Sequence, residues 1–92
     1  MALLFEWHEE KAAANLKKHG VSFEEAKTVF NDPLALTIED PKHSQDEQRF
    51  IDIGYSESGR LLVVVYTERE DAIRIISSRR ATQSEQRAYE NA

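Results

Sequence analysis

The spacing of apolar positions changes character along the chain and divides it into extended and helical parts. Leu3, Leu4, Phe5 and Trp7 form a short apolar run that predicts a first strand. Glu9, Glu10 and Lys11 then open a helix that ends at Gly20, with Ala12, Ala13 and Leu16 as its inward stripe. Acidic residues in its first turn and Lys17, Lys18 and His19 in its last oppose the helix dipole at both ends. Gly20 suits the left-handed position just past a helix terminus. Ser22 and Glu25 make a capping box for a second helix, whose Phe23, Ala26, Val29 and Phe30 fall at core spacing. Asn31-Asp32-Pro33 stops it, because proline disfavours helical geometry in the residue before it and removes a ladder donor.

From Leu34 the pattern becomes that of strands: Leu34 to Ile38, a polar loop from Glu39 to Glu47, then Gln48 to Tyr55. In the latter run Arg49, Ile51, Ile53 and Tyr55 share one face, and Phe50, Asp52 and Gly54 the other. Ser56-Glu57-Ser58-Gly59 turns the chain into Arg60 to Thr67, whose unbroken apolar stretch marks a central strand covered on both faces. Glu68 to Asp71 form the next turn, Ala72 to Ser78 pairs back, and the capping box of Thr82 and Glu85 starts a final helix that runs to about Glu90. The order β-α-α-β-β-β-β-α predicts an α+β fold: an antiparallel sheet with two N-terminal helices and one C-terminal helix.

Composition narrows the chemistry. Ninety-two residues suit one domain with a compact core, and 40% hydrophobic with 32% charged residues suits a folded chain. No apolar run approaches a membrane span and the N-terminus lacks the features of a signal peptide, so the expected location is the cytoplasm, with no membrane partner. With no cysteine, disulfides, thiolate metal sites and cysteine nucleophiles are excluded. A net charge of −5 argues against general polyanion binding, but leaves room for a local basic pocket on an acidic body.

The strongest chemical signal is Arg74-Ile75-Ile76-Ser77-Ser78-Arg79-Arg80-Ala81-Thr82, an apolar run that delivers two guanidinium groups to a strand-to-helix corner. Planar, permanently charged donor forks are what phosphate recognition requires, although arginines at such corners are also commonly solvated or paired with carboxylates. Strand alternation places Arg79 with Ile73, Ile75 and Ser77 and turns Arg80 the other way, which makes Arg79 the better candidate. Lys18 and His19 are a second basic group, equally explained by the helix dipole. His43, with Asp40 or Asp46, superficially suggests a metal site, but its spacing matches no tight ligand pattern, so neither metal nor cofactor is expected.

Phe5-Glu6-Trp7, Asn15, Lys18-His19-Gly20-Val21, Phe23-Glu24, Val29-Phe30, the strand Leu62 to Tyr66, and Arg74-Ile75-Ile76-Ser77 with Arg79 and Ala81 together resemble the BrnT toxins of bacterial type II toxin-antitoxin modules. The resemblance runs from about Leu4 to Tyr89. It implies a RelE-like fold, a metal-independent endoribonuclease that inhibits translation and growth, and neutralisation by a BrnA-like ribbon-helix-helix antitoxin, with operator DNA met only through that antitoxin. His8 stands where the family usually has a helix-capping Asp, so the first helix should be more weakly capped.

Metal-free RNA cleavage needs a base for the 2′-hydroxyl, an acid for the leaving 5′-oxygen and cations for the phosphorane. Arg79 is the first candidate for the last role and Arg80 the second; His19 is the group suited to shuttle protons near neutrality, with Lys18 beside it. Glu68 and Arg69 are candidates for a base and a further phosphate contact. Trp7, Tyr89 and Arg49 are candidate substrate contacts, the aromatic rings by stacking. The alternative reading is a catalytically silent partner of a DNA-binding antitoxin that acts in operon autorepression; a metal-dependent hydrolase built on His43 is a third.

Overall fold

The computed structural model describes residues 3–40 and 47–92; His43 and Asp46, raised above as possible ligands, lie outside the described residues. The expected element order is found: β1 (Leu4–Glu6), α1 (Glu9–His19), α2 (Phe23–Ala26) continued by a 3-10 segment (Lys27–Asn31), β2 (Leu36–Asp40), β3 (Arg49–Tyr55), β4 (Leu61–Arg69), β5 (Ala72–Arg80) and α3 (Gln83–Glu90). The strands form one sheet in the order β1-β5-β4-β3-β2. Neighbours from β2 to β5 are antiparallel, whereas β1 lies parallel to β5, so the sheet is mixed.

Several boundaries move for local reasons. β2 begins at Leu36 instead of Leu34 because Asp32 folds the chain over Pro33: its Oδ1 accepts the Leu34 N–H at 2.9 Å and its carbonyl accepts that of Ala35 at 3.2 Å. The β4–β5 hairpin closes on Glu70 and Asp71 alone, with Glu70 at φ 52°, so Glu68 and Arg69 belong to a strand and not to the turn. β5 likewise runs through both Arg79 and Arg80. At α2, Ser22 Oγ accepts the Glu25 N–H at 3.0 Å, but the Glu25 carboxylate turns away to Arg60, leaving the capping box half made. His8 gives α1 no side-chain cap, and Gly20 ends it at φ 70°.

The helices cover one face of the sheet. Val21, Phe23, Ala26 and Val29 pack there on Leu62, Val64, Tyr66 and Ile75. The Tyr66 ring stacks on Phe50 at 5.6 Å and meets Phe30 edge-on at 4.9 Å. Gly54 lets the layers close, because a Cβ at that position would stand 2.9 Å from the Ala35 Cβ and 3.0 Å from Val29 Cγ1. The second face carries Arg49, Ile51, Ile53 and Tyr55 of β3, Val63 and Val65 of β4, and part of β5. α3 lies at its end, where the Tyr89 and Tyr55 rings meet edge-on at 5.3 Å. As the unbroken apolar run predicts, β4 is the middle strand, buried on both faces.

Two features of β5 overturn simple periodicity. Val65 pairs with Ser77 but Tyr66 pairs with Ile75, so Ile76 is an extra, bulged residue. The bulge reverses the alternation: Ile73 and Ile75 face the helices, whereas Ser77 and Arg79 face the other way, so Arg79 does not share their face as the plain pattern predicts. The other feature concerns α1, whose expected inward stripe holds only at Ala12, which packs against the core. Leu16 is 51% exposed and Ala13 is exposed, while the buried residue is Asn15. Its Nδ2 donates to the Ser78 carbonyl (2.8 Å) and the Val21 carbonyl (2.9 Å), and its Oδ1 accepts the Ser78 N–H (3.1 Å). Asn15 thereby satisfies backbone groups on the outer edge of β5, past the end of β1.

Replacing Asn15 by alanine strands three buried backbone groups. At roughly 1 kcal/mol or more each, Asn15→Ala is expected to cost about 2–4 kcal/mol of stability, read by urea unfolding; a loss below about 1 kcal/mol would show that the edge is satisfied in some other way.

Candidate active site

Because Asn15 is pinned to β5, the residues one turn either side of it on α1 lie along the same strand. Lys11, Ala14, Asn15, Lys18 and His19 face Ile76 and Ser77 across a cleft of about 250 Å³. Lys18 is exposed and His19 half-buried. The cleft therefore brings together the two α1 residues singled out in the sequence and adds Lys11 and Ser77, which that reading missed. The signal was there: Lys11 and Lys18 are seven apart, two turns on one helix face. Among the described residues neither lysine makes an ion pair, so their charge is open to an anion.

Arg79 lies two residues beyond Ser77 on the same strand face, about 7 Å along β5. Its guanidinium is engaged: Nη1 donates to Glu85 Oε1 at 2.7 Å and Nη2 to Oε2 at 2.8 Å, with Nη1 also 3.2 Å from the Arg80 carbonyl. Glu85 belongs at the same time to the complete capping box of α3, its Oε1 accepting the Thr82 N–H at 2.8 Å. The hydrogen bonds from Arg79 hold the Glu85 carboxyl down at about 2. Glu85 was legible as a cap but not as this partner. The pair remains partly exposed, and such pairs contribute only about 0–1 kcal/mol net, so it constrains geometry more than stability.

The other sequence candidates lie elsewhere. Arg80 is exposed and points to the opposite face, opposite Leu62. Glu68 and Arg69 sit at the far end of the β4–β5 hairpin; Glu68 pairs with Ile73, about 20 Å along the strand from Arg79, and Arg69 is held by Glu47 at 2.9 Å. Trp7 packs edge-on against Phe23 at 6.0 Å and lines a separate groove with Ala12, Ala13 and Leu16. The Tyr89 hydroxyl donates to Asp32 Oδ2 at 2.8 Å, a bond to a carboxylate that pushes the phenol up to about 12 and anchors α3. Arg49 is half-buried on the second face, between Asp40 of β2 and Thr67 of β4 in the register. Among the described residues no cluster of three or more His, Asp or Glu side chains is placed to hold a metal.

Residues 7–85 match the family model of the ribonuclease toxin BrnT of type II toxin-antitoxin systems. The chain belongs to the BrnT toxin family. That stretch contains the whole cleft and the Arg79–Glu85 pair, and membership of a type II toxin family implies an antitoxin partner. Among solved structures, the 1.1 Å crystal structure of the Brucella abortus ribonuclease toxin BrnT is similar with a TM-score of 0.68 and 22% identity, over 89% of this chain and 100% of that one, which shows a shared fold. A comparison with curated proteins finds no match.

In this BrnT-family chain a second carboxylate braces the scaffold behind the cleft. Glu25 receives Arg60 Nε at 2.9 Å and the Ser56 hydroxyl at 2.7 Å, with Ser58 and Arg60 Nη2 also donating, and Arg60 reaches the Gly20 carbonyl at the end of α1. The Arg60 bonds come first in holding the Glu25 carboxyl at about 2. Both Glu25 and Glu85 thus titrate lower folded than unfolded, so their stabilisation is complete above the ordinary glutamate range and is lost as pH falls from about 4.5 towards 2. Glu25→Gln is expected to flatten the acid limb of the stability–pH curve over that interval. An unaltered limb, measured by urea unfolding at successive pH values, would show that Glu25 does not drive it.

Proposed function

We propose that this chain is a metal-independent endoribonuclease of a toxin-antitoxin module that acts in the cytoplasm, with the cleft between α1 and β5 as its RNA site. The observation that carries the reading is the cleft that gathers Lys11, Lys18, His19 and Ser77 at the edge of β5, with Arg79 two residues further along that strand. In this reading the lysines hold the RNA backbone, and the Arg79 guanidinium takes up charge on the phosphorane as the 2′-hydroxyl attacks. His19 is the cleft's imidazole, a side chain able both to accept and to donate a proton, and it serves as base or acid. Glu68, Arg69 and Arg80 fall outside this machinery by distance or direction, and Trp7 and Tyr89 serve the fold.

The proposed inhibitor is a BrnA-like ribbon-helix-helix antitoxin whose basic segment is drawn to the acidic body, net charge −5, and covers the cleft. Operator DNA is contacted only through that antitoxin. One observation favours a silent, repressor-complex role instead: both terminal nitrogens of Arg79 are already bound by Glu85. RNA left intact by protein that nevertheless sharpens antitoxin binding to operator DNA would select that second reading.

The test is induced expression, with growth and RNA integrity followed in parallel, and cleavage by purified protein with and without chelator. Loss of a positioned transition-state donor typically costs about 10²–10³ in rate, so Arg79→Ala should abolish growth arrest. Glu68→Ala and Arg69→Ala should cut as the parent does, and chelator should change nothing. An Arg79→Ala chain that arrests growth like the parent would remove Arg79 from the mechanism.

A further inference from the structure

Arg79 does not present an open fork. Its two terminal nitrogens donate in parallel to the two oxygens of Glu85, at 2.7 and 2.8 Å. This is the arrangement in which a guanidinium holds the two non-bridging oxygens of a phosphodiester, and a single edge of the fork accommodates one anion at a time. We propose that the Glu85 carboxylate is a built-in stand-in for substrate phosphate: it occupies the phosphate subsite on Arg79, and RNA binds there by displacing it. This rests on the role given to Arg79 above and adds a specificity-determining residue to it.

Three features support exchange at this position. The pair is reachable, with the Arg79 side chain 42% and the Glu85 side chain 25% exposed. α3 has no fully buried residue, and its other end is moored independently by Tyr89 to Asp32 and Tyr55, so Glu85 can swing aside while the helix stays docked. The cleft then decides which anion wins. A mononucleotide or free phosphate offers Arg79 one charge in place of another, whereas an RNA strand also places neighbouring phosphates against Lys11 and Lys18 in the cleft, whose β5 wall, Ser77, lies two residues before Arg79. Glu85 therefore acts as a filter, keeping small anions off Arg79 and admitting a strand.

The test is the binding of a 2′-O-methylated oligoribonucleotide, which cannot be cut, over a range of salt concentrations. Glu85→Gln removes the competing charge, yet glutamine at this position still completes the capping box, so α3 is retained. Glu85→Gln should bind severalfold tighter than the parent and gain affinity for inorganic phosphate. Arg79 meets a phosphate in the bound state of both chains, so the gain should lie in affinity, with the slope of log K against log salt staying that of the parent. Glu90→Gln, which makes the same change in net charge on the same helix, should give no such gain in affinity. In the Arg79→Ala background Glu85→Gln should lose its gain. Glu85→Asp, which keeps the charge but withdraws it by one methylene, should fall between parent and Glu85→Gln. Equal or weaker binding by Glu85→Gln, or a gain that survives Arg79→Ala, overturns the proposal. If Arg79→Ala alone impairs cleavage while Glu85→Gln binds no tighter, the exchange is wrong and the active site stands; if Arg79→Ala cuts RNA at the parental rate, both fall.

Discussion

Past Arg74 the outer edge of β5 has no strand beside it, and backbone groups left open in this way must find partners elsewhere. Asn15 supplies a donor and an acceptor to the same residue, Ser78, and a second donor to Val21, so one amide fixes the helix, the strand edge and the start of the next helix together. The orientation of α1 follows from this. Lys11, Lys18 and His19 lie one turn before or after Asn15, on the helix side that must face β5 if the amide is to reach it. The cleft is thus a by-product of satisfying the sheet edge: the rotation of α1 that pairs the backbone also delivers the cations.

Several charges of this molecule are spent internally. Arg60, Arg69, Arg74 and Arg79 each hold a carboxylate, on Glu25, Glu47, Glu6 and Glu85, and Lys27 holds Glu24. Lys11 and Lys18 of the cleft make no ion pair among the described residues, on a chain of net charge −5. Such an arrangement gives little long-range attraction for nucleic acid, so affinity depends on contacts made inside the cleft and along β5.

What could be read in the sequence was what is decided locally. The alternation of β3, the two-sided burial of β4, the left-handed Gly20 and the Thr82–Glu85 capping box all depend on neighbours within a few residues, and all appear as expected. The stripe assigned to α1 failed at Ala13 and Leu16 because its facing is set by Ser78, 63 positions away, and not by the apolarity of Leu16. The reversal in β5 had no local mark, since Ile75-Ile76-Ser77 fits either face until pairing with Val65 and Tyr66 chooses. The site was legible in the same measure: Arg79, Lys18 and His19 declared themselves by residue type, but their junction through Ser77, and the engagement of Arg79 by Glu85, arise only when a strand, a helix and a corner meet.

The single extra residue at Ile76 also separates two jobs that one strand would otherwise perform in lockstep. Before it, β5 answers to the hydrophobic layer beneath the helices through Ile73 and Ile75; after it, to the cleft and the corner through Ser77 and Arg79. In an uninterrupted strand the two halves would share one phase, so that any side chain suited to packing would dictate which way the arginine points. The bulge works as a phase joint: each half of β5 is free to vary under its own selection, and the chemistry at the end of the strand is insulated from repacking at its start.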